Sequence, residues 1–183
     1  GGGAGPVDRG SRPSEGLGRR RGVRWRLREG GETAPAVVVA PVRALIQRLG
    51  PHVEAIEPVS LRAGDSLDRD ELVERLVLMG YRREYQVEGR GEVAVRGSIV
   101  DVFPATAEHP VRIDQWGDEV ERLSQFAVTD QRSTHVIDSV TVFPCRDLLP
   151  TDEVLARARS LLAAAPWGRE QWDRLAEGQI FDG

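Results

Sequence analysis

Apolar and polar residues change period several times along this chain, and each change predicts an element. Leu72, Val73, Leu76, Val77 and Met79 recur at three- and four-residue spacing, the stripe that an amphipathic helix turns toward a core. Ser66 stands where an N-cap is expected. Asp68, Asp70 and Glu71 follow in the first turns, where the helix dipole favours anions, and Gly80 stops the helix. From Tyr81 the period drops to two. Tyr81 to Glu88 predicts a strand leading into the turn Gly89-Arg90-Gly91, and a second run extends from Glu92 to Phe103. At about 3.3 Å per residue that run would reach about 40 Å, too long for one straight strand in a small sheet. Gly97 is therefore expected to carry a bulge or sharp bend. Pro104 to Pro110 reads as a loop, and Val111 to Trp116 with Val120 to Phe126 as a hairpin across Gly117-Asp118-Glu119.

The flanks read differently. Residues 1–35 are rich in Gly, Arg, Ser and Pro without a hydrophobic period. Their few apolar groups cannot offset the entropy of ordering, so this segment is expected to be disordered or non-native. Order is expected from Ala36. Val37, Val38 and Val39 predict a strand buried on both faces, and Pro41 opens a helix through Leu45 and Leu49 that Gly50 closes. This strand–helix step over residues 36–53 reads as the end of a larger α/β domain, so the chain is expected to be cut from something longer. His135 to Phe143 alternates loosely through Val136, Ile137, Val140 and Val142 and should carry the chain back toward that domain. Thr151 caps a helix whose buried face is Val154, Leu155, Ala158, Leu161 and Leu162. Pro166 ends it, and a short last helix runs from Arg169 to Glu177.

With 183 residues, 40% of them hydrophobic and 30% charged, the composition is that of a soluble globular chain with one ordinary domain or a small domain plus pieces of a neighbour. No apolar run is long enough for a membrane span, and no secretory signal precedes the first element. Cys145 is the single cysteine, so an internal disulfide and a cysteine zinc cage are excluded and a cytoplasmic location is expected. All 25 basic residues are arginine. Without lysine the chain can form neither a Walker A phosphate site nor a Schiff base. Residues 1–35 carry eight Arg against four acids, while residues 36–183 carry 17 Arg against 25 acids. The folded part is acidic, which disfavours general nucleic-acid binding.

Strand alternation groups the polar residues. Val93 and Val95 point one way, and Glu92, Ala94 and Arg96 the other. Arg112, Asp114 and Trp116 share a face opposite Val111 and Ile113. If the valine faces pack on helices, Arg96, Arg112 and Asp114 lie together on the open face, and Arg82, just past the helix, can join them. Spacing alone leaves two readings: a solvated face with ordinary charges, or a docking patch whose arginines offer planar forks of donors to carboxylates. Catalysis finds no support. His52, His109 and His135 are far apart in sequence, and although His109 and Asp114 could orient one another, no nucleophile or metal-ligand spacing accompanies them. Cys145 beside Arg146 reads as a structural cysteine. Trp116, Trp167 and Trp172 sit among acids and read as packing residues. No catalytic, metal or cofactor site is expected.

Gly-Tyr-Arg at 80–82, Val-Arg-Gly at 95–97 followed by Asp-Val-Phe-Pro at 101–104, and Val-Arg-Ile-Asp-Gln-Trp-Gly-Asp-Glu at 111–119 resemble the second domain of UvrB and of the bacterial transcription-repair coupling factors, the module that docks on UvrA. Thr-Ala-Glu-His-Pro at 106–110 and Asp-Gln-Arg-Ser at 130–133 resemble the coupling factors more than UvrB. The resemblance implies an α+β fold, a twisted and mainly antiparallel sheet with packing helices, flanked by partial α/β elements of a first domain. The implied layout is residues 36–53 from that first domain, 54–140 as the UvrA-interaction domain, and 141–183 as a helical return. It also implies contact with UvrA through Arg82, Arg96, Arg112 and Asp114. Ala94 falls where UvrB has a further arginine, so one contact of that mode is missing. The parent family is an ATP-driven DNA translocase that uses ATP and Mg and meets RNA polymerase and DNA through regions not seen here, so this chain is expected to have no enzymatic activity. Three alternatives stay open: a UvrB relative, a nucleic-acid-binding module, and a hydrolase for which the sequence offers no constellation.

Overall fold

Helix α1 (Arg69–Leu78) forms one wall of the core in the computed structural model, which describes residues 22–28, 30, 35–42, 56–146, 149, 151–164 and 166–178. The N-cap is Asp68 and not Ser66. The Asp68 carboxylate accepts the backbone N–H groups of Asp70 and Glu71 at 2.9 and 3.0 Å, where it also meets the positive end of the helix dipole. Ser66 is engaged in an isolated antiparallel bridge to Glu119. Leu72, Val73, Leu76 and Met79 are buried, whereas Val77 is turned outward. At 3.6 residues per turn Val77 lies about 100° round from Leu76, at the margin of the stripe.

The strands are β1 (Val59–Arg62), β2 (Arg82–Arg83), β3 (Glu92–Arg96), β4 (Ile99–Phe103), β5 (Val111–Trp116), β6 (Glu119–Phe126), β7 (Ser133–Ile137) and β8 (Ser139–Val142). Six of them form one sheet in the order β2-β3-β4-β5-β6-β7, antiparallel throughout except for β2 against β3. Strands β1 and β8 pair antiparallel in a second, two-stranded sheet. The fold is α+β.

Several expectations change here. The strand expected from Tyr81 to Glu88 shrinks to Arg82–Arg83 and runs parallel to β3. The chain then leaves the sheet, because the Glu92 carboxylate gathers the loop by accepting the N–H groups of Glu88 and Gly89, each at 2.8 Å. The break expected at Gly97 is a complete reversal, a two-residue hairpin with Arg96 paired to Ile99. The next hairpin turns over Gly117-Asp118 alone, with Glu119 already paired to Trp116. Gly97 and Gly117 hold φ of 61° and 60°, the left-handed geometry that two-residue hairpins require. The run from His135 to Phe143 divides at Asp138 between two sheets, with β7 at the edge of the large one and β8 on β1, a strand that the alternation did not announce.

The core lies between α1 and one face of the sheet. Val93, Val100, Val102, Val111, Ile113, Val120 and Leu123 project from the strands onto Leu72, Leu76 and Met79, and Val59, Leu61, Val140 and Val142 close the side. Tyr81 binds the end of the domain to its middle: its buried hydroxyl donates to the Phe143 carbonyl at 2.9 Å and accepts the Ala105 N–H at 3.3 Å. Burial foremost, with the neighbouring Cys145, pushes the Tyr81 phenol well above its ordinary range despite the Ala105 hydrogen bond. Cys145 is buried in the same core, with its N–H on the Met79 carbonyl at 3.0 Å. Leu76 is completely buried. Leu76→Ala should lower the unfolding free energy by about 2–5 kcal/mol through lost transfer energy and a residual cavity. Urea titration followed by circular dichroism measures it, and an unchanged midpoint would mean that α1 is not a wall of the core.

At the C-terminal side, α2 (Asp152–Ala164) and α3 (Arg169–Ala176) pack on each other through Val154, Ala158 and Leu175, with Trp172 and Ala176 beside them. Thr151 caps α2 as expected, its hydroxyl accepting the Val154 N–H at 3.4 Å. Leu155, Leu161 and Leu162 are only half-buried. Trp167 is exposed, against expectation, and meets Trp172 only edge-on, while Trp172 packs. Residues 22–28 are helical where no element was expected. Arginine is a good helix former, the Arg28 guanidinium lies 5.9 Å over the Trp25 ring, and Gly22 is buried beside Phe143 and Thr106. Val37, Val38 and Val39 form no strand and are exposed. A β-branched run becomes a strand only with a neighbour to pair with, and none of the described strands lies beside it. The helix expected through Leu45 and Leu49, and His52, lie outside the described residues. Among the described residues no helix is long and apolar enough to cross a membrane, and no cluster of His, Cys, Asp and Glu could hold a metal ion.

Candidate partner-docking face

The face of the large sheet turned away from α1 carries the polar residues of β3 to β6. Its rows follow from the pairing register. Arg96 stands opposite Ile99, Ile99 opposite Asp114, and Asp114 opposite Arg122. In the next row Ala94, Asp101, Arg112 and Ser124 lie side by side.

Asp101 organises this face. It sits in the apolar strand Ile-Val-Asp-Val-Phe and is 1% exposed. A buried carboxylate needs compensation, and two arginines supply it. Arg112 grips it as a fork, Nε on Oδ1 at 2.7 Å and Nη2 on Oδ2 at 2.9 Å, while Arg96 donates through Nη2 to Oδ2. Arg112 is further held by the Gln131 carbonyl at 3.0 Å and by the Phe126 ring, 4.8 Å below its guanidinium. The Asp101 hydrogen bond raises the Arg112 pKa above its ordinary value against the opposing effect of burial. Gln131, from the Asp-Gln-Arg-Ser segment, adopts φ 61°, a left-handed geometry uncommon outside glycine. Its side-chain amide donates to the carbonyls of Val87 and Val128 at 3.1 and 3.0 Å, which fixes the loop that presents its own carbonyl to Arg112.

The sequence reading placed Arg96, Arg112 and Asp114 on one face, and they share it. Their availability differs. The Arg112 side chain is only 12% exposed, with its fork spent on Asp101, whereas Arg96 keeps 39% exposure. Asp114 pairs with Arg122 at 3.0 Å. Arg82 does not join this group. It lies on β2 against Glu92 at 2.9 Å, and Glu92 precedes Arg96 by four residues on β3, about 13 Å along the strand. Arg82 thus flanks the far end of the same face, half exposed.

Between the two ends lies a small apolar patch of Val87, Ala94, Phe103 and Phe126, with the Arg90 guanidinium 5.3 Å over the Phe103 ring. Ala94 is buried within it. A larger side chain there would have to emerge through these neighbours.

Asp101 and Arg122 escaped the sequence reading. A lone acid inside an apolar strand was a legible signal, since such a group is buried only with partners. Arg122 was not legible. A bulge shifts the register between Asp114 paired to Arg122 and Gln115 paired to Val120, skipping Glu121, and so places Arg122 and Val120 on opposite faces despite their even spacing. Trp116 was expected to pack and instead stands 81% exposed.

Comparison with known proteins accords with this architecture. The UvrB interaction domain family matches residues 59–148. The transcription-repair-coupling factor of Mycobacterium tuberculosis is 43% identical over 157 residues, covering 80% of this chain and 13% of that protein. Those of Bacillus subtilis and Escherichia coli are 39% identical over 124 residues and 34% over 137, covering 67% and 74% of this chain but 10% and 11% of theirs. The chain therefore spans only 13% or less of the length of these curated relatives. The matched stretch contains α1, both sheets and the whole arginine-bearing face, and through it the chain belongs to the transcription-repair coupling factor family as a segment built around a UvrB interaction domain.

Proposed function

We propose that this chain is the UvrA-docking module of a transcription-repair coupling factor, the part that brings nucleotide excision repair to RNA polymerase stalled at DNA damage. The match of residues 59–148 to the UvrB interaction domain carries the reading. The geometry supplies its physical content: Arg82 and Arg96 keep guanidinium surface exposed at the two ends of one rigid face, ready to meet carboxylates of a partner. Arg112 and Asp114 act from within that face, each already paired. Nothing in this role needs a cofactor. The sequence contains no lysine to reach a nucleotide phosphate, so we assign ATP-driven translocation to other parts of the parent protein, where the family resemblance also puts contact with RNA polymerase and DNA.

Calorimetric titration of the 183-residue chain with purified UvrA tests the reading. Saturable binding without added nucleotide is the expected result, weakening with salt because charged groups take part. Absence of heat and of co-migration on size exclusion would overturn it.

A further inference from the structure

We infer that Trp116 is an aromatic anchor of the docking face, covered by the same UvrA surface that receives Arg96. The inference rests on the UvrA-docking reading and extends it to a residue that lies within the quoted motif but that the sequence alone reads as a packing residue. At the end of β5 the usual order of burial is inverted: Gln115 is 5% exposed and Trp116 81%. A polar amide is inside and the largest apolar side chain of the strand is outside, the reverse of what burial preferences lead one to expect.

The inversion is built into the backbone. Gln115 donates from its side chain to the Leu67 carbonyl at 3.1 Å and from its N–H to the Ser98 carbonyl at 3.1 Å. Leu67 in turn donates to the Asp118 carbonyl at 2.7 Å, and Val120 to the Asp65 carbonyl at 2.9 Å. The bulge that skips Glu121 keeps Val120 inside while Trp116 stays out. The indole is thus presented on an anchored hairpin end, so little backbone freedom remains to be lost when a partner covers it. It continues the face: Trp116 follows Asp114 by two residues on the same side, about 7 Å further along the strand, and Asp114 lies in the row of Arg96 and Arg122. Its immediate neighbours on that face are acidic, Glu119 across the hairpin and Asp114 along the strand, with the arginines one row away. An exposed aromatic at the end of a charged face is a side chain in which binding energy concentrates at protein interfaces.

The test compares Trp116→Ala, Trp116→Phe and Trp167→Ala for affinity to UvrA, with thermal midpoints measured alongside. Trp167 is equally exposed at 81% but lies in the turn between α2 and α3, so it controls for loss of an exposed indole. Trp116→Ala should weaken binding by about 30-fold with an unchanged midpoint, Trp116→Phe by less, and Trp167→Ala not at all. In chain labelled with 5-fluorotryptophan, the fluorine resonance of residue 116 should shift or broaden on addition of UvrA while that of residue 167 stays sharp in position. Wild-type affinity of Trp116→Ala, with Arg96→Ala weakened, would remove Trp116 from the interface and leave the docking reading intact. Wild-type affinity of both variants would overturn the inference and place the UvrA contact elsewhere on the chain, whereas no binding by the wild-type chain would overturn the docking reading beneath it.

Discussion

Asp101→Ala is expected to lower the unfolding free energy by about 3 kcal/mol, because it strands the largely enclosed Arg112 guanidinium without its carboxylate. The Arg112 side chain is 12% exposed and spends Nε and Nη2 on this one carboxylate. Without it those donors are left in a partly buried site between the Phe126 ring and the Gln131 carbonyl, with only limited access to water. Arg96 contributes little to the loss, since its more exposed guanidinium can turn to solvent. Asp101→Asn keeps the shape and one acceptor oxygen, so it should fall between wild type and alanine. The double variant Asp101→Leu with Arg112→Met removes both charges and should recover much of the alanine deficit, since paired apolar replacement of a buried ion pair is often neutral or better. Urea titrations of the four proteins measure these differences. An Asp101→Ala midpoint equal to wild type would show that the carboxylate does not hold Arg112. The docking face should fail with it: UvrA affinity should drop in the double variant even where stability returns, because Arg96 loses the Oδ2 that orients it.

The second large effect concerns Arg96 itself. Arg96→Ala should reduce UvrA affinity by about 30-fold or more, the equivalent of about 2–5 kcal/mol for truncating one member of an interfacial charge pair. The same change should cost little stability, because the guanidinium is substantially exposed and Asp101 retains the Arg112 fork. Arg157, exposed on α2 and away from the sheet face, provides a matched control in Arg157→Ala. Calorimetry with all three proteins at two salt concentrations separates a specific contact from a general charge effect, which would weaken both variants alike. Equal affinities of wild type and Arg96→Ala would take Arg96 out of the docking surface.

Much of the candidate docking face could be read from alternation alone. Period two on β3 and β5 placed Glu92, Ala94 and Arg96 together, and Arg112 with Asp114 and Trp116, and the structure has those groupings. The apolar spacing of α1 was likewise sufficient for its buried side, because a helix and a strand each impose a fixed geometry on neighbours in sequence. Legibility stopped where position depends on another segment. Whether Ser66 or Asp68 caps α1 was decided by the pairing of Ser66 with Glu119. Val37 to Val39 carried a strand pattern with no described strand to pair with. The alternation from His135 to Phe143 was real, yet two different sheets divide it.

The sequence by itself determined the local periods, the acidic balance of residues 36–183, the absence of lysine chemistry and the motif that marks the family. These follow from residue identity and spacing, which need no knowledge of neighbours in space. Tertiary structure alone decided which charges remain free to bind. Arg96 and Arg112 look equivalent in sequence, but register sets Asp101 directly opposite Arg112, and the Phe126 ring and Gln131 carbonyl complete the enclosure of that guanidinium. Tertiary structure also left Trp116 uncovered on the outer face where alternation had put it, at a hairpin end held by the buried Gln115 amide. Both outcomes arise from contacts between residues distant in the chain, and a long-range pairing has no signature in the period of either strand that makes it.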